Sequence, residues 1–273
     1  MNNKILILGK GFIGEKLQKA FDCAICSSFI RNFKDAEKII KKYNPKIIIN
    51  CIGSTGKNNV DDCELDKDAT LLANSFVPLI LAEAALRNNI KLVHISSGCI
   101  FKFNYSLDKP LAEEKTPDFF GLFYSRSKIY PELALAELSR KYNILICRIR
   151  IPLLNQPHPK NVLDKLIKYG KVITLKNSVT YIPDFIRALE HLLKIDARGI
   201  YNLVNKGGLS YPELMEVYRK YAPDFKYETI DFRKLGLVRT NLLLSTRKLE
   251  KTGFKVRPID SVLEECVKEY LKY

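Results

Sequence analysis

Tyr124 and Lys128 stand four residues apart in Phe123-Tyr124-Ser125-Arg126-Ser127-Lys128, a spacing that puts both side chains on one face of a helix. An ammonium beside a phenol favours the phenolate, so the tyrosine becomes a usable proton donor and acceptor near neutrality. A chain of 273 residues also produces such a pair by chance, so the pair needs company. Ser97 supplies it. It follows the apolar, β-branched run Leu92-Val93-His94-Ile95 and is expected at the C-terminal end of that strand, the edge where open parallel sheets bind ligands.

The elements that must position these groups begin at the N-terminus. Lys4–Leu8 reads as a buried strand, and it feeds Gly9-Lys10-Gly11-Phe12-Ile13-Gly14 before a helical stretch over Glu15–Phe21. Strand, glycine turn and helix form the context in which Gly-x-Gly-x-x-Gly reads as a dinucleotide cradle. Its glycines allow close backbone approach, and the helix start offers N–H groups and a positive dipole end to a pyrophosphate. The next strand candidate, Cys23–Ser27, ends in Ser27-Ser28-Phe29-Ile30-Arg31 with no acid for a ribose 2′-hydroxyl. Arg31 suits a 2′-phosphate, which favours NADPH over NADH; its competing reading is plain surface charge.

Further along, strands are expected at Lys46–Cys51, Lys91–Ile95 and Ile144–Ile149, with helices over Phe33–Lys42, Ala69–Asn88 and from Tyr124 to about Tyr142 despite Pro131. Such alternation predicts an α/β fold, a Rossmann-type doubly wound parallel sheet. After Pro152 the texture changes to a Pro-rich loop, a basic helix (Asn161–Tyr169) and shorter elements. Ser210 and Glu213 form a capping-box signature for a helix through Tyr221, and the chain closes on an amphipathic helix. The expected division is therefore a nucleotide-binding domain over 1–152, with 180–205 returning to it, and a smaller C-terminal substrate-binding lobe over 153–179 and 206–273.

Composition narrows the function classes. Hydrophobic residues make up 47% of the chain, enough for a sizeable core. No apolar run is expected to approach the roughly 20 residues of a membrane span, and no signal-peptide layout precedes the first strand. The 7 cysteines are scattered and odd in number, which argues for a reducing, cytoplasmic setting and against a disulfide framework. Cys23-Ala24-Ile25-Cys26 has no second pair and reads as a strand, so no metal site is expected. The formal charge is +15, and residues 140–200 hold 12 basic against 4 acidic side chains. The cations are not interleaved with aromatics in a nucleic-acid motif; a solvated lysine-rich surface or an anionic small substrate accounts for them.

Taken together, the motifs resemble the extended short-chain dehydrogenases/reductases that act on nucleotide sugars. The resemblance rests on the glycine turn, Asn50-Cys51-Ile52-Gly53, Asn74, Ser97, Tyr124 with Lys128, and the late stretch Arg239-Thr240-Asn241 through Lys248-Leu249, which is similar to the dTDP-4-dehydrorhamnose reductase group. Gly53-Ser54-Thr55-Gly56-Lys57-Asn58-Asn59-Val60-Asp61-Asp62-Cys63-Glu64, Gly98-Cys99-Ile100-Phe101 and Thr116–Ser125 are more similar still to the UDP-4-keto-6-deoxyglucose 3,5-epimerase/4-reductases that make UDP-L-rhamnose. The glycine turn departs from that family by being one residue shorter.

The resemblance implies roles. Gly9, Gly11, Phe12, Ile13, Gly14, Arg31, Cys51, Ile52, Gly53, Asn74, Tyr124 and Lys128 are expected to bind NADPH. Tyr124 would protonate the alkoxide formed at C4, Lys128 would lower its pKa, and Ser97 would hydrogen-bond the C4 oxygen. Cys99 is placed as one epimerase acid/base, on the same face as Ser97 if strand alternation continues; read alone, it is a small buried hydrophobe. Lys165 corresponds to the second acid/base, against a plain reading as an exposed helix lysine. Asn161, Arg239 and Asn241 are expected on the nucleotide diphosphate, with UDP as the nucleotide. An upstream 4,6-dehydratase would supply the keto sugar, and a homodimer through the Tyr124 helix is common in the superfamily. A 4-reductase alone, a non-catalytic NADP-binding regulatory subunit and a nucleic-acid binder are the competing readings.

Overall fold

The computed structural model describes residues 4–57, 59–236 and 238–273; Asn58 of the quoted motif lies outside them. Strand β1 (Ile5–Leu8) is apolar and buried at every position, as a central strand covered on both faces must be. It pairs in parallel with β2 (Ala24–Cys26) and β3 (Ile47–Asn50), and β3 pairs in parallel with β4 (Lys91–Ser97). With β5 (Ile144–Ile149) and β9 (Gly199–Asn202) the sheet runs in the order β2-β1-β3-β4-β5-β9. The direction of strand addition reverses between β1 and β3, so the crevice for a ligand opens above their carboxyl ends.

Helices α1 (Phe12–Phe21) and α2 (Phe33–Tyr43) follow the first two strands. Between β3 and β4 runs α3 (Lys67–Leu71), a π-helical turn (Leu72–Phe76) and α4 (Val77–Arg87). Lys67–Arg87 is, by length and hydropathy, apolar enough to cross a membrane, which corrects the expectation that no segment approaches that length. Half of that window is buried in the protein, and α4 supplies Leu81, Ala82 and Ala85 to the core formed by Leu6, Ile48, Leu92 and Ile146. Burial of each such Leu or Ile contributes about 1.5–3 kcal/mol. Helix α5 (Phe123–Leu138) continues through Pro131 and leaves Leu135 in the same core.

Two compact units emerge, one of residues up to Ile100, Pro117–Arg148 and Asp196–Tyr201, the other of Phe101–Thr116, Ile149–Ile195 and Asn202–Tyr273. The division is more interleaved than the expected boundary at 152. Of the stretch 180–205, only the part that builds β9 belongs with the sheet. The second unit has β6 (Pro152–Leu153) paired in parallel with β8 (Thr180–Tyr181), and β7 (Lys171–Ile173) with β10 (Glu228–Ile230). Its helices are α6 (Val162–Tyr169), α7 (Ile182–Lys194), α8 (Tyr211–Arg219), the short α9 (Arg247–Glu250) and α10 (Asp260–Tyr270). Leu163, Tyr181, Leu214, Met215, Val262 and Cys266 fill its core. The capping box forms as expected, with Ser210 and Glu213 exchanging side-chain-to-backbone bonds at the start of α8.

Candidate active site

The glycine turn closes tightly. Gly9 has φ +100°, and a Cβ there would lie 2.8 Å from the Ile52 nitrogen and 2.9 Å from the Cys51 carbonyl carbon. A Cβ on Gly14 would meet the Gly9 oxygen at 2.0 Å. Both positions therefore demand glycine. The structure starts α1 at Phe12, inside the motif and earlier than expected, with Gly11 as an N-cap that has no side chain. A Cβ on Gly11 would find nothing within 4 Å, so the shortened turn still leaves open space at a helix start, where the dipole favours an anion. Gly9 N–H donates to the Cys26 carbonyl and Cys51 N–H to the Leu8 carbonyl. These bonds hold the turn between the ends of β2 and β3.

Beside it, Asn50 directs the Cys51-Ile52-Gly53 backbone. Its Oδ1 accepts from Ile52 N–H at 3.0 Å, and its Nδ2 meets His94 Nδ1 at 3.2 Å. Burial, reinforced by Lys128, pushes the His94 pKa well down, so the imidazole stays neutral and Nδ1 can accept. Asn74 sits in the π-helical turn, a distortion frequent at functional sites. Its Oδ1 accepts from Ser54 N–H (2.8 Å), and its Nδ2 donates to the Ser54 carbonyl (2.9 Å) and to Ser127 Oγ (3.0 Å). Asn74 thus shapes the loop that follows Gly53. Its amide hydrogens are already used, so it acts at one remove. Arg31 is exposed, with its guanidinium 5.9 Å from the Phe29 ring centroid and its N–H on Asp35 Oδ2.

The sheet's carboxyl edge gathers the chemistry. β4 extends to Ser97, beyond its expected end at Ile95, and then breaks. Cys99 N–H donates to Ser97 Oγ at 3.1 Å. Cys99 therefore lies in a turn made by the serine hydroxyl, which corrects the expectation of continued strand alternation; the turn, not the pleat, links the two residues. Ser97 Oγ keeps its own hydrogen to donate. Ser125 Oγ donates to the Cys99 carbonyl at 2.6 Å, tying this turn to the first turn of α5.

Tyr124 and Lys128 are both buried on α5, at 6% and 5% exposure. Burial lowers the Lys128 pKa from 10.5 to about 8, opposed mainly by Glu132. A Cβ on Gly53 would come within 3.0 Å of Lys128 Nζ and 3.2 Å of Asn74 Oδ1, so Gly53 is the gap that lets the ammonium reach the cradle.

In the second unit, Lys165 is half-buried on α6. Burial lowers its pKa, with help from the neighbouring cations Lys160 and Arg239. Arg239 and Asn241 are half-buried, and Asn241 Oδ1 accepts from Asn177 Nδ2 at 2.8 Å. Asn161 has a different job from the one expected. Fully buried, it caps α6: its Oδ1 accepts from the N–H groups of Leu154 and Leu163, and its Nδ2 donates to the carbonyls of Leu154 and Gln156. No hydrogen-bonding capacity is left for a ligand.

Several site residues escaped the sequence. Ser127 Oγ donates to the Tyr124 carbonyl, and Ser75 Oγ to the Ser127 carbonyl. Glu132 accepts from Arg148 and from Ser96. The i, i+4 spacing of Lys128 and Glu132 was a readable signal for the last of these; the partners, on two different strands, were not.

Known proteins share this sequence pattern and this fold. The family model described as the RmlD substrate binding domain matches residues 3–217. The bifunctional dTDP-4-dehydrorhamnose 3,5-epimerase/dTDP-4-dehydrorhamnose reductase of Arabidopsis thaliana is 32% identical over 96% of this chain and 91% of its own. A trifunctional UDP-glucose 4,6-dehydratase/UDP-4-keto-6-deoxy-D-glucose 3,5-epimerase/UDP-4-keto-L-rhamnose-reductase of the same plant is 31% identical over 91% of this chain, which spans 39% of that longer protein. Two further trifunctional relatives are spanned over 33% of their length. The crystal structure of the UDP-rhamnose synthase from Acanthamoeba polyphaga mimivirus superposes with a TM-score of 0.90 at 25% identity, covering 97% of this chain and 98% of that one. The chain belongs to the RmlD substrate-binding domain family.

Proposed function

We propose that the chain uses NADPH to reduce the C4 ketone of a nucleotide-diphosphate 4-keto-6-deoxy sugar, and that it also epimerises C3 and C5. The overall conversion is UDP-4-keto-6-deoxy-D-glucose to UDP-L-rhamnose. The observation that carries this reading is the Ser97–Cys99 turn, tied through Ser125 to the helix that holds Tyr124 and the buried Lys128.

The cradle suits NADPH. Gly11 opens on free space at the start of α1, Gly9 and Gly14 permit a turn that no side chain would, and β2 leads into exposed Ser27-Ser28 and Arg31 with no carboxylate among them. When bound, NADPH supplies the hydride. The chain supplies the rest. Tyr124 gives its phenolic proton to the C4 oxygen, Lys128 keeps that phenol acidic enough to do so, and Ser97 Oγ–H donates to the same oxygen.

A C4 ketone acidifies the protons on C3 and C5, and inversion there needs a group to take each proton and another to return one on the opposite face. We assign one of these roles to Cys99, beside Ser97. The other goes to Lys165 on the resemblance of its helix, supported by a pKa already lowered by burial and by two cations. The clustering of Lys160, Lys165 and Arg239 favours an anionic diphosphate in the second unit.

The test is incubation with UDP-4-keto-6-deoxyglucose and NADPH in deuterated water, with the product sugar read by NMR. L-rhamnose deuterated at C3 and C5, with NADPH consumed, is the expected result. A 6-deoxy-D-sugar without deuterium would leave a reductase alone. No turnover with any 4-keto sugar nucleotide would overturn the enzymatic reading in favour of a regulatory subunit.

A further inference from the structure

Glu132 lies one turn beyond Lys128 on α5 and has no part in the chemistry above. It is 1% exposed. Its Oε1 accepts from Arg148 Nε at 2.9 Å and Nη2 at 2.7 Å, and its Oε2 accepts from Ser96 Oγ. The guanidinium fork gives this deep carboxylate a paired, two-bond partner. A buried ion pair is a weak source of net stability, since apolar residues of similar volume often do as well. Stability is therefore a poor reason for placing this pair inside the helix that carries Tyr124.

Its surroundings suggest a better one. The groups that interact with Lys128 are Glu132 on α5, Cys51 after β3, Cys63 in the 3-10 turn Val60–Glu64, and His94 on β4; Tyr124 shares its helix face by the i, i+4 spacing. Burial pushes the Cys51 thiol up to about 12 and the Cys63 thiol upward, and it holds His94 neutral. Among these described groups Glu132 is the one carboxylate, and its interaction with Lys128 favours the ammonium.

We propose that Glu132 is a positioning residue for the reduction: clamped by Ser96 and Arg148, its carboxylate is the fixed counter-charge that keeps Lys128 an ammonium on the Tyr124 face of α5. The proposal deepens the reductase reading and rests on it only for what the ammonium is used for. Glu132→Gln keeps the shape and an acceptor for Arg148 but removes the charge. It also removes the carboxylate that pairs with Arg148, and both changes disfavour a charged Lys128. Glu132→Gln with Arg148→Gln removes the two charges together and should fall between the single variant and the wild type.

The experiment follows the lysine Cε resonances of 13C-labelled protein across pH, without cofactor or substrate, with Lys128 assigned from the signal lost in Lys128→Arg. The wild-type midpoint is expected near 8. In Glu132→Gln it should fall by about one pH unit or more, and the alkaline limb of kcat should move down with it. An unchanged midpoint in a variant with native near-ultraviolet circular dichroism would overturn the proposal and leave a purely structural ion pair. Should the single variant fail to fold, the double variant, which removes Glu132 and Arg148 as a pair, decides: a midpoint below the wild type supports the proposal, and an equal one ends it. Because the titration needs no turnover, an inactive wild type would sink the reductase reading while leaving this result standing.

Discussion

Helices α5 and α6 each carry a lysine for which a role in proton chemistry is proposed, Lys128 through Tyr124 and Lys165 directly, and they treat it in opposite ways. On α5 the lysine is enclosed. Ser125, Ser127 and Glu132 are buried with it, and each is hydrogen-bonded to a neighbouring element or to the helix's own backbone. On α6 the apolar face is buried through Val162, Leu163 and Leu166, while Lys165 stays half-exposed beside Lys160 and Arg239. Among the described residues no carboxylate pairs with it. The α5 lysine has a carboxylate one turn away on its own helix; the α6 lysine has two cations as its charged neighbours. A preorganised site works in the first way, a binding surface in the second.

The largest effect that would break this comparison lies on α5. Tyr124→Phe removes one oxygen and should cost about 10³-fold or more in ketone reduction, with nucleotide affinity and thermal stability nearly unchanged. A variant retaining a tenth of wild-type kcat would mean that another group delivers the proton. On α6, Lys165→Met should lose deuterium incorporation by about 10²-fold or more. It should also weaken UDP binding, because one of three clustered cations is gone. Unaltered UDP affinity would show that the cluster is a solvated surface and that α6 resembles α5 less in function than the assignment supposes.

The sheet and the α5 pair were legible because their signals are local. Apolar runs of strand length, glycines at a turn and an i, i+4 pair each state their geometry within a few residues. What the sequence hid depends on side chains that redirect the backbone. The Ser97 hydroxyl captures the Cys99 N–H and ends the pleat, so alternation stopped being a guide two residues before it was applied. Asn161 reads like a polar ligand-binding residue until its four bonds to Leu154, Gln156 and Leu163 are seen. Glu132 and Arg148 sit 16 residues apart on a helix and a strand, and no periodicity links them.

A smaller effect concerns stability and has the opposite sign to the activity change. Lys128 titrates near 8 when folded, below its ordinary 10.5, so folding disfavours its charged form. Below about pH 8 both states are charged and the cost of burying the ammonium is complete. Between 8 and 10.5 the unfolded chain binds more protons, and stability rises with pH; above 10.5 the cost is gone. Lys128→Met should therefore unfold at a higher temperature than the wild type at pH 7, by up to about 3 kcal/mol, and the gap should close as pH rises through that window. Thermal melts at pH 7 and at pH 10 check this. A variant less stable than wild type at pH 7 would mean that packing around the ammonium outweighs its desolvation, and the two lysines would differ less than their surroundings imply.

The smallest expected effect sits where α5 meets solvent. Its N-cap, Leu122, offers no side-chain acceptor, and Glu64 fills the role from the Val60–Glu64 turn by accepting the Phe123 N–H at 2.8 Å. A carboxylate there also faces the positive end of the helix dipole. Lys67 and Arg126 approach it at 3.7 and 3.8 Å, but exposed pairs of that length add little, so the backbone bond should carry the effect. Glu64→Ala is expected to cost about 0.5–2 kcal/mol and to lower kcat a few-fold by loosening the turn that holds Tyr124, while Glu64→Gln, which keeps the acceptor, should recover most of both. If Gln and Ala behave alike, the charge and not the hydrogen bond anchors α5. Its order would then depend on salt, as the cation cluster around α6 should, and a melt at high ionic strength would show both helices weakening together.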